Sequence, residues 1–271
     1  MNQCRLCNGT ELKPWMRDGR NRDCVYYRCT GCGLWNYDMD CGVDQTQYTE
    51  TYHSPRDKSW SPNRDNRAAW EALSGFVDEP GTLLDIGCGN GCLMYHAREA
   101  GWTVEGLELY EPAARAVGED TGMTVRIGDF LAETPASDAG RYDVVVLRHV
   151  LEHLPDPHLA VQRIRERLRD GGLAFLEFPN TGSVSYACKR VLKNLGLRNR
   201  KYSSEWRPGH CNEYCRSAFQ TLLDLNGFEL VAWETYSNSS YGQLLYSWLP
   251  VASKARAVIR RSDASARSKA A

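Results

Sequence analysis

The sequence predicts an α/β domain on a mostly parallel sheet with helices on both faces, preceded by a small cysteine-rich ribbon. Three observations carry this. Leu83-Leu84-Asp85-Ile86 reads as the end of a buried strand, and Gly87, Gly89 and Gly91 then turn the chain into a helix from Cys92 to Ala100. From Leu83 to Trp233 apolar runs alternate with helical patterns, as in a wound α/β fold. Upstream, Cys4-Arg-Leu-Cys7 and Cys29-Thr-Gly-Cys32 form two knuckles 21 residues apart.

Whole-chain properties narrow the function classes. With 271 residues and a net charge of −1, the chain can bury a full core and has no global field for nucleic acid or membrane. No apolar run is long enough to span a bilayer, and the first residues lack a signal peptide's apolar core. Eleven cysteines, gathered near the N-terminus in Cys-x-x-Cys pairs, point to a metal site in a reducing cytoplasm rather than to disulfides.

Residues 1–45 read as the ribbon. Four thiolates at Cys4, Cys7, Cys29 and Cys32 suit tetrahedral, structural zinc. Cys24 and Cys41 lie in neither knuckle. Cys24-Val25-Tyr26-Tyr27 reads as a strand leading into Cys29. Six Lys/Arg balance six Asp/Glu in this unit, which disfavours a phosphate-binding module.

Residues 46–241 read as the main domain. Tyr48, Tyr52, His53 and Trp60 cross into it, and Ser61-Pro62 can cap a helix whose apolar face is Ala68, Ala69, Ala72, Leu73 and Phe76. After the glycine turn, Thr103–Leu109 is the second strand and holds Glu108, an acceptor suited to ribose hydroxyls. A helix over 112–119 follows, then a strand at 124–127 and Gly128-Asp129-Phe130. Tyr142–Leu147 is the clearest buried strand. Asp156 and Pro157 open a helix ending near Asp170-Gly171-Gly172, and Leu173–Asn180 is the fifth strand. Ser217-Ala-Phe-Gln220 reads as a capping box for a helix stopping at Gly227, before a strand at 228–233.

Asp85-x-Gly87-x-Gly89-x-Gly91 resembles motif I of the class I S-adenosylmethionine-dependent methyltransferases. A dinucleotide fingerprint would need its third glycine where Cys92 stands. Arg148-His149-Val150-Leu151-Glu152-His153-Leu154-Pro155-Asp156-Pro157 resembles the segment after the fourth strand in one branch of that family. The likeness covers 83–233 in motif order. The ribbon resembles the zinc module of sugar C-methyltransferases, which carry a further C-terminal domain that this length is too short to hold.

The resemblance implies a Rossmann-like class I methyltransferase sheet with S-adenosylmethionine as cofactor. Asp85, Gly87, Gly89 and Gly91 would surround its methionine end, Glu108 its ribose, and Asp129 with Phe130 its adenine. It also implies a sugar or glycan acceptor, small or lipid-linked. The alternatives are a ribosomal RNA methyltransferase with a zinc ribbon and a nicotinamide-dependent sugar oxidoreductase.

An attacking hydroxyl needs a proton acceptor, and histidine titrates near neutrality. His210 is the first candidate and His149 the second, while His153 reads as structural. In the sugar C-methyltransferases a Glu-His pair with a nearby Tyr occupies the place of His210. Here Gly209 replaces that Glu, so Glu152, Glu205 or Glu213 would have to orient the ring.

Two stretches fall outside this scheme. Residues 178–204 hold six Lys/Arg and no carboxylate, which suggests either a phosphate contact from Lys189 to Lys201 or a solvated helix face. Residues 242–271 read as an apolar-then-basic helical tail with no seventh strand. That tail would dock on the domain, lie on a membrane or fray after about Ser262.

Overall fold

The computed structural model describes residues 1–45, 64–133, 138–237 and 252–262. The proposed cap Ser61-Pro62, the aromatic crossing residues and the apolar start of the tail lie outside the described residues.

Strands β1 (Leu12–Asp18), β2 (Cys24–Cys29) and β3 (Trp35–Tyr37) form an antiparallel meander. The first described helix, α1, runs Arg64–Ser74 and buries Ala69 and Leu73. Phe76, expected on its apolar face, lies beyond the helix end and is exposed.

The main sheet then winds through β4 (Thr82–Ile86), α2 (Cys92–Glu99), β5 (Thr103–Glu108), α3 (Glu111–Thr121), β6 (Thr124–Ile127), β7 (Tyr142–Arg148), α4 (Pro157–Arg167) and β8 (Leu168–Pro179). All neighbouring pairs from β6 to β8 are parallel, as alternating strand and helix patterns require. Helix α5 (Val184–Asn194), the short β9 (Asn212–Glu213), α6 (Arg216–Asn226), β10 (Phe228–Tyr236) and β11 (Lys254–Arg261) complete the described elements. The seven-stranded order is β10-β11-β8-β7-β4-β5-β6.

Four sequence expectations are corrected here. First, part of the tail is a seventh strand: β11 inserts antiparallel between β8 and β10. Its alternating Lys254, Arg256 and alanines look like a basic tail because alanine is a weak strand former. The partner that stabilises Arg256 is distant in sequence. Glu177, fully buried on β8, accepts from Arg256 at 3.0 Å on one side and from Arg148 of β7 at 2.6 Å on the other.

Second, α4 stops at Arg167, short of the Asp170-Gly171-Gly172 end. The chain between Leu168 and Leu173 bulges so that β8 keeps register with β7. Asp156 caps α4 as expected, accepting from the amides of His158 and Leu159 at 3.0 Å.

Third, no capping box forms at Ser217. Cys215 is the N-cap residue, and the Ser217 hydroxyl donates to the Cys32 carbonyl at 3.1 Å. Fourth, the ribbon does not end as a sheet at residue 45, because β9 pairs with β3 and gives the small sheet the order β1-β2-β3-β9. Cys4, Leu6, Cys29, Cys32 and Leu34 share one buried core with the main sheet and α6.

Candidate active site

A cavity of about 920 Å³ opens at the carboxyl ends of β4, β5 and β7, where open α/β sheets bind ligands. At one end the glycine turn does what the sequence requires of it. Gly87 has φ 68°, and a Cβ there would lie 2.5 Å from Val150 Cγ2. Glu108, buried at the end of β5, accepts from the Gly89 amide and the Tyr110 amide, each at 2.9 Å. It thus locks the turn to the next loop, and its carboxylate retains lone pairs for further donors.

Of the expected cofactor residues, Gly87, Glu108, Asp129 and Phe130 line the cavity, whereas Asp85, Gly89 and Gly91 stand behind it. Asp85 is buried, and burial pushes its carboxyl up to about 7 although the Arg148 charge opposes this. Asp129 accepts from the Leu131 amide at 2.9 Å and so turns the chain after β6. Phe130 is 5% exposed, with the Arg167 guanidinium 5.2 Å over its ring. Leu109, 62% exposed, and Leu131 supply the more accessible apolar surface there. Sequence reasoning missed both, because a lone leucine at a strand end looks like ordinary core.

At the other end His149 and His210 line the cavity, each backed by a buried glutamate. His149 Nδ1 lies 3.4 Å from Glu152 Oε1, and His210 Nδ1 lies 3.3 Å from Glu213 Oε1. His149 has φ 56°, uncommon for a residue with a Cβ, and its amide donates to the Glu177 carbonyl at 2.7 Å. Both Glu152 and Glu213 are buried. Burial alone would raise their carboxyls, but the histidines hold them below the usual range. Burial disfavours the His210 cation, yet the Glu213 hydrogen bond and charge outweigh that and raise its pKa above the ordinary 6.5. Of the carboxylates weighed as substitutes, Glu213 orients His210 and Glu152 orients His149, while Glu205 is exposed.

His153, read as structural, also lines the cavity. Its ring meets that of His210 edge-on at 4.7 Å, and its Nδ1–H donates to the Gly209 carbonyl at 3.1 Å. Burial lowers its pKa below the ordinary 6.5, against the opposing charge of Glu152. The signal that could have found it is the tight 3-10 turn Leu151–His153, which brings positions 149, 152 and 153 together. Glu152, His153 and His210 each present a ligand atom within 4.8 Å of the others.

The ribbon positions much of this end. Tyr37 donates its amide to the Cys211 carbonyl at 3.0 Å, and Cys211 donates its own to the Glu152 carbonyl at 2.8 Å. The Arg5 guanidinium reaches the same Cys211 carbonyl at 2.9 Å and Asn212 Oδ1 at 3.3 Å. His210 is therefore held between the ribbon and the turn that carries His149.

Within the ribbon, the sulfurs of Cys4, Cys7, Cys29 and Cys32 lie within 4.8 Å of one another. Cys4–Cys32 at 3.7 Å and Cys7–Cys29 at 3.5 Å approach the ~3.8 Å edge of a tetrahedron with zinc–sulfur bonds of about 2.3 Å. The set fits such an ion.

Of the six cations between 178 and 204, Lys193 is buried in an ion pair with Asp18 of β1, and Arg190 lies 4.1 Å over the Trp15 ring. Those two dock α5 on the ribbon. Lys189 and Arg198 line the cavity instead. Among the described residues no helix is long and apolar enough to cross a membrane.

The profile of the methyltransferase-domain family matches residues 56–232. The ubiquinone biosynthesis O-methyltransferase of Aromatoleum aromaticum is 33% identical over 154 residues, which are 54% of this chain and 66% of that relative. Its namesake in Leptothrix cholodnii is 31% identical over 157 residues, 54% of this chain and 67% of the relative. The chain thus spans about two thirds of the length of these curated relatives.

Among solved structures, Burkholderia thailandensis 1,6-didemethyltoxoflavin-N1-methyltransferase, with bound 1,6-didemethyltoxoflavin and S-adenosylhomocysteine, superposes with a TM-score of 0.57 at 17% identity. It covers 80% of this chain and 87% of its own. An S-adenosylmethionine-dependent methyltransferase from Mesorhizobium loti gives 0.54 at 21% identity, over 73% and 99%. These likenesses concern the fold. With the family match over most of the chain, they replace the nicotinamide alternative. The chain belongs to the methyltransferase-domain family and is an S-adenosylmethionine-dependent methyltransferase.

Proposed function

We propose that the protein methylates a hydroxyl group on a small, sugar-bearing acceptor, with His210 taking the hydroxyl proton. The observation that supports this most is the oriented His210–Glu213 pair on the cavity wall. On the surrounding wall His149, His153, Ser185 and Lys189 offer polar partners to a polyhydroxyl acceptor, beside the apolar Val150, Leu154 and Pro179. The ubiquinone-named relatives favour O-transfer, and the ribbon favours a sugar.

S-adenosylmethionine supplies a sulfonium methyl that is already activated, so alignment and exclusion of water are the protein's main tasks. With Nδ1–H pointing at Glu213, Nε2 is the basic nitrogen of the neutral His210 ring and accepts the proton as the acceptor oxygen bonds to carbon. The products are a methyl ether and S-adenosylhomocysteine. The reading is tested by assaying S-adenosylhomocysteine release with nucleotide sugars and with catechols as acceptors. Turnover on catechols alone would replace the sugar by an aromatic hydroxyl acceptor.

At the cofactor end Glu108 holds the ribose, Asp129 the adenine amino group, and Leu109, Phe130 and Leu131 the ring. Glu108→Ala is expected to weaken S-adenosylmethionine by about 1.5–3 kcal/mol, one charge-assisted hydrogen bond. Calorimetry showing unchanged affinity would remove Glu108 from the site.

Cys4, Cys7, Cys29 and Cys32 hold one structural zinc. The expected result of Cys29→Ser with Cys32→Ser is loss of zinc by metal analysis and a lower melting temperature. Turnover should collapse while cofactor binding persists, because β9 and His210 hang on the ribbon. Zinc retained in the double variant would refute the ligand set.

A further inference from the structure

We propose that the methyl acceptor carries an anionic group, phosphate or carboxylate, held by Lys189, Arg198 and Lys254. This rests on the reading of the cavity as the site of methyl transfer. The three cations come from separate elements: Lys189 from α5, Arg198 from the connection after it, and Lys254 from the first position of β11. The sequence joined the first two to a longer basic stretch and placed the third in a tail. Only the fold brings them to one cavity.

The neighbouring basic residues have other partners. Lys193 is buried against Asp18, and Arg190 rests on Trp15. Lys189 packs 4.5 Å over Tyr186, and neither it nor Arg198 is paired with a carboxylate among the described residues. The Lys193–Asp18 lock fixes α5, so Lys189 one turn earlier is presented with little further ordering cost. The Lys189 charge is felt at both Glu213 and His210, which places it beside the reacting end. The buried Glu152 and Glu213 already serve the histidines. Lys189 and Arg198 place two like charges on one cavity wall, and a bound anion offsets their repulsion.

The test uses inorganic pyrophosphate and malonate as probes, titrated calorimetrically into the full chain saturated with S-adenosylhomocysteine. Wild type is compared with the combined variant Lys189→Gln, Arg198→Gln, Lys254→Gln. We expect wild type to bind at least one probe and the variant to lose about tenfold in affinity per cation removed, with S-adenosylhomocysteine affinity unchanged. Tighter pyrophosphate marks a phosphoryl acceptor, and tighter malonate a carboxylate. Neither probe binding wild type, or equal binding by the variant, overturns the proposal. A parallel loss of S-adenosylhomocysteine affinity in the variant also overturns it and assigns the cations to the cofactor's carboxylate. If wild type fails to bind S-adenosylhomocysteine at all, the methyl-transfer reading of the cavity fails with it.

Discussion

Turnover in His210→Ala is expected to fall by about 10²–10⁴, the contribution of a general base, while S-adenosylmethionine affinity stays intact. The base acts in its neutral form. Its pKa lies above 6.5 because Glu213 outweighs the effect of burial. The rate should therefore climb with pH through an inflection above that value and level off beyond it. In Glu213→Gln the charge that raises the pKa is gone and burial remains, so the inflection should move to lower pH. A merely structural role for the pair would lower the rate without moving the inflection. Turnover of His210→Ala within a few-fold of wild type would remove His210 from the mechanism. His149 with Glu152 and the newly found His153 would then be the next groups to replace.

The largest stability effect is expected at Glu177. It sits fully buried at the middle of three adjacent strands, with Arg148 directly across on β7 and Arg256 directly across on β11. Glu177→Gln leaves the mostly buried Arg148 without its paired carboxylate and Arg256 with only the exposed Glu234 at 3.4 Å. It should cost about 3–5 kcal/mol, read as a lower urea midpoint. Hydrogen exchange should rise first in residues 255–259, because β11 is held to β8 through this ion pair. Burial would raise the Glu177 carboxyl, but Arg148 and Arg256 hold it below the ordinary 4.5. A depressed carboxyl stabilises the fold above its unfolded pKa and loses that contribution as pH falls through its folded value. Acidification below 4.5 should therefore destabilise wild type more than the variant. A urea midpoint equal to that of wild type would show that the triad does not hold β11.

The parallel core was legible because its signals are local. Leu83–Ile86 and Tyr142–Leu147 are mostly apolar runs closed by turn residues, and each appears within a strand at the expected place, as does the strand expected from Thr103. The capping Asp156 and the stopping Gly227 act through neighbours within a few residues, so they too could be read. The missed capping at Ser217 has the opposite cause. Its hydroxyl finds the carbonyl of Cys32 in the ribbon, a contact with no trace in the local sequence.

The wound α/β class, the glycine turn with Glu108 nearby, the four-cysteine ribbon and the histidines worth testing are all legible in residue order. Each depends on residue type at short spacing, where backbone geometry and side-chain chemistry act directly. Contacts between residues distant in sequence, made only in the folded chain, set the rest. They chose Glu213 over Glu205 to orient His210 and moved His153 from scaffold to cavity wall. They also divided one basic stretch between docking residues and cavity residues. Above all they turned Lys254–Arg261 into a central strand, because the buried charge of Glu177 provides a binding partner that no local pattern around Arg256 reveals.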